Sequence, residues 1–429
     1  MSREFSRSNE WLKRAEKTIP LGSQTFSKSR IAYPNKVSPL FVQRGQGCQV
    51  WDADGNQYTD FVSGLLSVSL GYCNKAVDDA VIEQVKSGVT FSLPHQLEMI
   101  VAEKLVELIP CAEMVRFGKN GSDATSAAIR LARAFTQKEH VAVCGYHGWQ
   151  DWYIGSTSRD LGVPKATKEL THAFKYNDIV SLEQVFSQYT NQIAAVILEP
   201  MNTHFPKNDF LQKVKTLCEK HGAVLIFDET ITGFRYTMGG AQQLFSVTPD
   251  LATFGKGMAN GYPISAVVGR KDIMTLMEDI FFSGTFAGET LSLAATKATL
   301  DFMIANNVVD HLKQMGEKLQ SGLNEIINDM QAQQWLSVTG HPVWSFLNIA
   351  EQGAYSAIEL KSLFLQEMAQ QGFLLGGGHN LNYAHKVNDI ESLLLAYRQV
   401  LTTLAETIIK EDFSTRFKGK LLEPVFKVR

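Results

Sequence analysis

A chain of 429 residues is longer than one hydrophobic core usually serves, so two domains, or one large domain with appendages, are expected. Hydrophobic residues make up 45% and charged residues 20%, the balance of an ordinary soluble globular protein. The formal net charge is −3 with both signs mixed along the chain, which argues against a nucleic-acid or anionic-membrane partner.

The opening stretch MSREFSRSNEW lacks the apolar core of a signal peptide. No apolar run approaches the roughly 18 residues of a membrane helix. Five cysteines (Cys48, Cys73, Cys111, Cys144, Cys218) are scattered without a C-x-x-C pair. Neither a disulfide framework nor a structural metal site is expected, and a reducing, cytoplasmic compartment is.

In chain order, a polar-capped helix pattern starts near Ser8 and ends by Pro20. FVQRGQGCQVWDADGNQYTDFV then places two β-like runs around Asp52-Ala53-Asp54-Gly55-Asn56, a hairpin pattern. From about residue 74 to 305, short apolar runs (MVRFG, HVAVCG, AAVILEP, AVLIFDE, LATFG, SAVVG) alternate with amphipathic stretches such as SAAIRLARAF and NDFLQKVKTLCEKHG. Strands buried on both faces and joined by crossover helices predict an α/β fold with a mostly parallel sheet. After about 306 come a long helix, a β-like segment around SVTGHPVWSFLNIA, and helices to Lys410, a smaller α+β domain. The expected division is therefore 1–73 as an N-terminal part of the small domain, 74–305 as the large domain, and 306–429 as the C-terminal small domain. The tail EDFSTRFKGKLLEPVFKVR takes no assignment.

Ligands of such sheets sit at the C-terminal ends of strands. AVLIFDE ends in Asp228 and Glu229, which can be turn formers or helix caps. A carboxylate there can equally keep a proton on a basic ring nitrogen. PDLATFGKG ends in Lys256 between Gly255 and Gly257, either a loop lysine or an amine that loses its proton and forms a Schiff base. In FGKNGSDATSAAIRLARAF a strand meets a helix through Asn120-Gly121-Ser122-Asp123, an ordinary cap or a phosphate seat at the positive helix end. It has neither the G-x-G-x-x-G nor the G-K-[ST] spacing. CGYHGWQDWY follows another run. Tyr146 or Trp149 can stack on a flat ligand or belong to the core, while His147 alone reads as structural. A phosphate seat, a stacking aromatic, a carboxylate and a Schiff-base lysine together describe a pyridoxal 5'-phosphate (PLP) site.

The motifs VWDADGNQYTDFVSG, FGKNGSDATSAAIRLARAFT, GYHGWQDW, FKYND, FDETITGFR, TPDLATFGKGMANGYPISAVVGRKDIM and SGTFAGETLSLAA resemble class-III aminotransferases of the type-I PLP-dependent transferase fold. The nearest branch surrounds glutamate-1-semialdehyde aminomutase. The resemblance spans most of residues 20–300 and is loose in the C-terminal third. It implies that Lys256 carries the Schiff base and shuttles the proton, and that Asp228 pairs with the pyridine nitrogen. It further implies that Gly121 and Ser122 cup the phosphate, Tyr146 stacks on the ring, and Glu199 is an active-site acid. Thr285 would reach the phosphate of a neighbouring subunit, so a homodimer with shared sites follows.

Some positions depart from the branch. Thr230 stands where an aliphatic residue is usual, and Gly288-Glu289-Thr290 replaces Gly-Asn-Pro. Lys28 replaces a carboxylate-binding arginine, losing the bidentate clamp. GGGHNLNYAHK lacks the acidic residue of the corresponding aminomutase segment and presents His379 and Asn380 instead. The segment between GYHG and FKYND is short. These departures favour transfer from an amino-acid donor, L-glutamate, to a separate aldehyde or ketone. Lys28, Glu289, His379, Asn380 and Asn382 would suit a sugar-like acceptor, or are ordinary polarity. The alternatives are the aminomutase itself and a non-catalytic PLP-binding regulator. Lys256, Asp228 and the lack of a DNA-binding appendage argue against the regulator. A nicotinamide dehydrogenase would need a glycine fingerprint that is missing.

Overall fold

Residues 3–423 are described by the structure, a computed structural model, and they divide into two units. Of the described residues, the first takes 3–65, Leu70–Asn74 and 310–423; the second takes Leu66–Ser69 and Lys75–Val309.

In the first unit the helix expected near Ser8 spans Ser6–Ala15. Strands β1 (Val42–Gln46), β2 (Gln49–Asp52) and β3 (Gln57–Asp60) pair antiparallel in sequence. The hairpin read from Asp52 to Asn56 forms because Asp52 Oδ1 accepts from the amides of Asp54 (3.0 Å) and Asn56 (2.8 Å).

The second unit carries a seven-stranded sheet built from the apolar runs. Its strands are β4 (Met114–Gly118), β5 (His140–Cys144), β6 (Thr171–Ala173), β7 (Ile193–Leu198), β8 (Val224–Asp228), β9 (Leu251–Phe254) and β10 (Ser265–Gly269), in the order β4-β10-β9-β8-β7-β5-β6. Strands β5 to β9 pair in parallel, and β10 alone runs antiparallel to both neighbours. Every residue of β7, β8, β9 and β10 is buried, as continuous apolar runs require of strands covered on both faces. The short edge strand β6 has no apolar run and left no pattern to read. The helix Gly121–Thr136 buries Ala124, Ala127, Ala128, Ile129, Leu131 and Ala132, and its alanines let it lie close on the sheet. The C-terminal ends of β4, β8 and β9 and the start of β10 share one sheet edge, since Ser265 pairs with Gly118 and Ala266 with Phe254.

Returning to the first unit, β11 (Leu336–His341) and β12 (Trp344–Ile349) form the hairpin expected around SVTGHPVWSFLNIA. Strand β13 (Phe373–Leu374) adds in parallel to β3, and β14 (His379–Asn380) adds antiparallel to β12. The unassigned tail is tied to this unit: the amides of Lys420 and Glu423 donate to the carbonyls of Asn35 (3.3 Å) and Ile31 (3.1 Å). Its last residues, 424–429, lie outside the described residues. All five cysteines are free thiols. Among the described residues no helix is long and apolar enough to cross a membrane, and no group of three His, Cys, Asp or Glu is placed to hold a metal ion.

Candidate active site

Asp228 closes β8 and is buried, 5% exposed. Its Oδ1 accepts from Thr253 Oγ1 (3.0 Å) and the Thr230 amide (3.1 Å); Oδ2 meets His147 Nδ1 at 2.9 Å. The other ring nitrogen of His147 faces the carbonyl of Cys144 at 3.2 Å. Each ring nitrogen therefore faces an acceptor oxygen. Burial by itself would raise the Asp228 pKa. The bond and charge of His147, helped by Thr230, outweigh it and hold the carboxyl below its ordinary range. His147, read from the sequence as structural, is thus the residue that keeps Asp228 ionised. Its one local cue was its place inside GYHG.

The glycines of that motif have steric reasons. At Gly145 (φ +110°) a Cβ would stand 2.5 Å from Glu199 Oε2, and at Gly148 (φ +103°) 2.3 Å from Ser122 Oγ. Glycine lets the turn fold against both. Glu199, buried just past β7, accepts from the Tyr146 amide (3.1 Å) and Asn202 Nδ2 (2.9 Å). Burial and the nearby Asp228 charge raise its pKa. The Tyr146 ring is half exposed and meets Tyr153 edge-on at 5.7 Å between centroids. Ser122 Oγ accepts from the Trp149 amide at 3.3 Å.

Lys256 begins the turn after β9 with φ +41°, a left-handed conformation costly for a side chain with a Cβ and characteristic of functional sites. The side chain is partly accessible, but its amine lies in a low-dielectric setting. Burial lowers its pKa, and the Glu199 and Asp228 carboxylates oppose that only in part. The lysine is therefore biased toward the neutral amine that a nucleophile or base needs.

At the start of the helix Gly121–Thr136 the first amides have no intrahelical acceptors and present the positive end of the dipole. Two buried hydroxyls adjoin them. Ser265 Oγ and Thr230 Oγ1 form no hydrogen bond within the described chain, although the Thr230 side chain contributes to holding the Asp228 carboxyl low. A Cβ at Gly118 would stand 2.9 Å from Ser265 Oγ, one at Gly121 3.1 Å from Thr230 Cγ2, and one at Gly255 3.4 Å from the same methyl. Free amides at a helix N-terminus, two unsatisfied hydroxyls, a buried carboxylate and a lowered-pKa lysine match the phosphate, polar ring and aldehyde of PLP. The residues present fit that cofactor.

The second unit therefore gathers Lys256, Asp228, Glu199, Tyr146, Gly121 and Ser122. Thr285 lies in the same unit on an exposed segment with Phe281 (85% exposed) and Phe286 (60%). This segment and Thr90–Leu93 line a cavity of about 550 Å³. Glu229 is a turn-former: it accepts from the amides of Ala241 (2.7 Å) and Gln242 (2.9 Å) and from the Thr232 hydroxyl. Glu289 caps the helix Thr290–Ala305 and pairs with Lys119 at 2.8 Å. Lys28 and His379 belong to the first unit. Lys28 ends a short exposed turn, Phe26–Lys28. His379 is buried between Ser345 Oγ (2.9 Å) and Tyr397 Oη (2.5 Å), and burial pushes its pKa down to about 4. Asn380 and Asn382 are likewise buried, donating to the Val62 carbonyl (2.8 Å) and Ser63 Oγ (3.0 Å).

The family model for aminotransferase class-III matches residues 31–383. The chain is 32% identical over 415 residues to a 3-aminobutyryl-CoA aminotransferase of Cloacimonas acidaminovorans, covering 94% of this chain and 99% of that one. It is 34% identical over 416 residues to a glutamate-1-semialdehyde 2,1-aminomutase of Syntrophobacter fumaroxidans, covering 90% and 95%. Among solved structures, the PLP internal aldimine form of the FumI protein of Sphingopyxis sp. MTA144 superposes with a TM-score of 0.88 at 27% identity, covering 96% of this chain and 98% of that one. The chain belongs to the class-III aminotransferases, the type-I fold family whose cofactor is pyridoxal 5'-phosphate.

Proposed function

We propose that this protein is an aminotransferase that moves an amino group from an amino-acid donor, L-glutamate, to a separate aldehyde or ketone. The observation that carries the reading is the enclosed Lys256 amine under the field of Glu199 and of Asp228, itself held ionised by His147. When bound, PLP supplies an electron sink for the pair released as the C–H bond beside the substrate nitrogen breaks. Lys256, its pKa lowered toward the neutral amine, would take the proton from that carbon and deliver it to the carbon on the cofactor side of the nitrogen. Asp228 presents a fixed negative charge to a protonated ring nitrogen. Gly121 and Ser122 bind the phosphate through their amides, and Tyr146 offers its exposed ring face for stacking. Glu199 orders the Tyr146 turn and keeps a second negative charge near the amine.

The acceptor is narrowed by where the polar candidates lie. His379, Asn380 and Asn382 make bonds inside the first unit, and Glu289 is taken up by a helix cap and an ion pair. A sugar-like acceptor then rests on Lys28. The relative named for 3-aminobutyryl-CoA supports 3-oxoacyl compounds as the other class to try. The aminomutase reading is kept by the relatives that carry that name. Thr285 and the exposed Phe281 and Phe286 support a homodimer in which this segment meets a second copy.

The test is the visible spectrum of the holoprotein titrated with L-glutamate and then with acceptors. Bleaching by glutamate and recovery with a sugar-like aldehyde or a 3-oxoacyl compound is the expected result. Isomerisation of glutamate-1-semialdehyde without a donor would replace this reading by the aminomutase.

A further inference from the structure

Two hydroxyl groups near the strand ends have no hydrogen-bond partner among the described residues. Ser265 is fully buried at the first residue of β10, and its Oγ makes no hydrogen bond among the described residues. Thr230 Oγ1 is enclosed in the same way. Both adjoin the strand-to-helix connection that starts the helix Gly121–Thr136. Ser265 Oγ lies against Gly118, the last residue of β4, and Thr230 Oγ1 stands 3.4 Å from where a Cβ of Gly121 would be. A buried hydroxyl without an acceptor is destabilising, and valine would fill the volume of Thr230 without that cost. The sequence nonetheless places a hydroxyl at both positions, beside a helix N-terminus whose amides are also open to an anion.

We infer that the hydroxyls of Thr230 and Ser265 donate hydrogen bonds to the phosphate of bound PLP, extending the seat formed by the Gly121 and Ser122 amides. The inference rests on the proposed placement of the cofactor. It makes this seat a four-sided donor set, amides from one helix end and hydroxyls from the turn after β8 and the start of β10. A hydroxyl can donate to any of the cofactor's oxygens, and the phosphate is the one singled out because both hydroxyls adjoin the helix N-terminus where an anion is favoured. The alternative, that Thr230 acts only by supporting the Asp228 carboxyl through its amide at 3.1 Å and its hydroxyl, would leave that hydroxyl without effect on the phosphate.

The experiment compares wild type, Thr230→Val, Thr230→Ser and Ser265→Ala. Each is resolved and reconstituted, with dissociation constants for PLP and for pyridoxal (which lacks the phosphate) and the ³¹P resonance of the bound cofactor. A hydrogen bond to a charged group corresponds to roughly tenfold in affinity or more. Thr230→Val and Ser265→Ala are each expected to weaken PLP about tenfold, to leave pyridoxal within twofold, and to move the ³¹P resonance. Thr230→Ser keeps the wild-type values. The cofactor-free Thr230→Val protein melts no lower than wild type, which separates lost binding from lost fold. PLP affinity within twofold and an unmoved resonance in both hydroxyl-deleting variants would overturn the inference. Equal losses for PLP and pyridoxal would also overturn it, by placing the hydroxyls on the ring. A wild-type protein that binds no PLP would overturn the proposed function along with it.

Discussion

Replacing His147 by asparagine and by leucine separates the two contributions His147 makes to Asp228. Asparagine retains a neutral N–H near the place of Nδ1 and removes the charge; leucine removes both. Asp228 would keep its bonds from Thr253 Oγ1 at 3.0 Å and the Thr230 amide at 3.1 Å, but burial would again dominate its ionisation. A hydrogen bond to a charged group contributes about 1.5–3 kcal/mol, so a loss near 2 kcal/mol corresponds to roughly 30-fold. For wild type the sign follows from the depressed Asp228 pKa. The stabilisation is present above the ordinary carboxylate range and is lost as pH falls through the lowered value. Without His147 that loss begins at higher pH. The assay is the PLP dissociation constant and the thermal midpoint of each variant, stepped between about pH 4 and pH 8. We expect the leucine variant to bind PLP roughly 30-fold more weakly at neutral pH, the asparagine variant about fivefold, and the acid limb to move upward in both. The His147 ring also packs against Trp152 and, at 5.3 Å between centroids, Tyr153. The space leucine leaves costs the same at every pH, so it lowers the whole curve without moving its acid limb. Coincident acid limbs in wild type and His147→Leu would refute the argument that His147 sets the ionisation of Asp228.

Lys256→Ala should abolish covalent retention of the cofactor: borohydride fixes PLP to wild type but not to this variant by mass spectrometry, and turnover falls about 10²–10⁴-fold. Glu199→Gln removes one of the two carboxylates that oppose burial at Lys256. Its amine pKa drops further, and the acidic limb of the pH–rate profile moves to lower pH; an upward shift would contradict this electrostatic picture. At Glu289, burial is outweighed by Lys119 and Ser292, which hold its carboxyl low, so its stabilisation is lost in acid. Glu289→Ala removes both the cap and the ion pair, costing about 2–3 kcal/mol, a fall of roughly 4–12 °C in thermal midpoint. Glu289→Gln keeps an acceptor for the amides of Leu291 and Ser292 and should lose about half of that.

The sheet was legible because its strands are buried on both faces. IAAVIL carries no polar residue and VLIFD none before its last, and the candidate site residues are Glu199, just past the first, and Asp228, at the end of the second. The long helices and the β11–β12 hairpin left equally plain periodicities. Strand β6 did not, because three residues at an edge need no apolar face. His147 was read as structural, and its bond to Asp228, 81 residues away, could not be seen because nothing local encodes that pairing. His379, Asn380 and Asn382 looked like substrate contacts because polarity in a glycine-rich segment suggests a surface. In the structure His379 and Asn382 bond to neighbours in the first unit and Asn380 Nδ2 donates to the Val62 carbonyl, while Asn380 Oδ1 takes no bond among the described residues. The departure noted at Thr230 was visible as a residue type, but its unsatisfied hydroxyl emerges only once the chain is folded.

The first unit is not contiguous in sequence. Strand β3 waits for β13, and Phe373 pairs with Thr59 across more than 300 residues of chain. During synthesis the N-terminal hairpin leaves the ribosome early, with one edge open until that late strand arrives. At about 5–20 residues per second, the roughly 245 residues between Leu65 and Asp310 take on the order of 12–50 s to be made. The second unit can close its own sheet in that interval, since β10 ends at Gly269. The nascent chain would thus carry a folded centre and an unfinished beginning, and a premature stop before residue 373 would strand an exposed β-edge. Truncated products should be the aggregating species, and a holdase would find its binding segment at the N-terminus rather than in the middle of the chain.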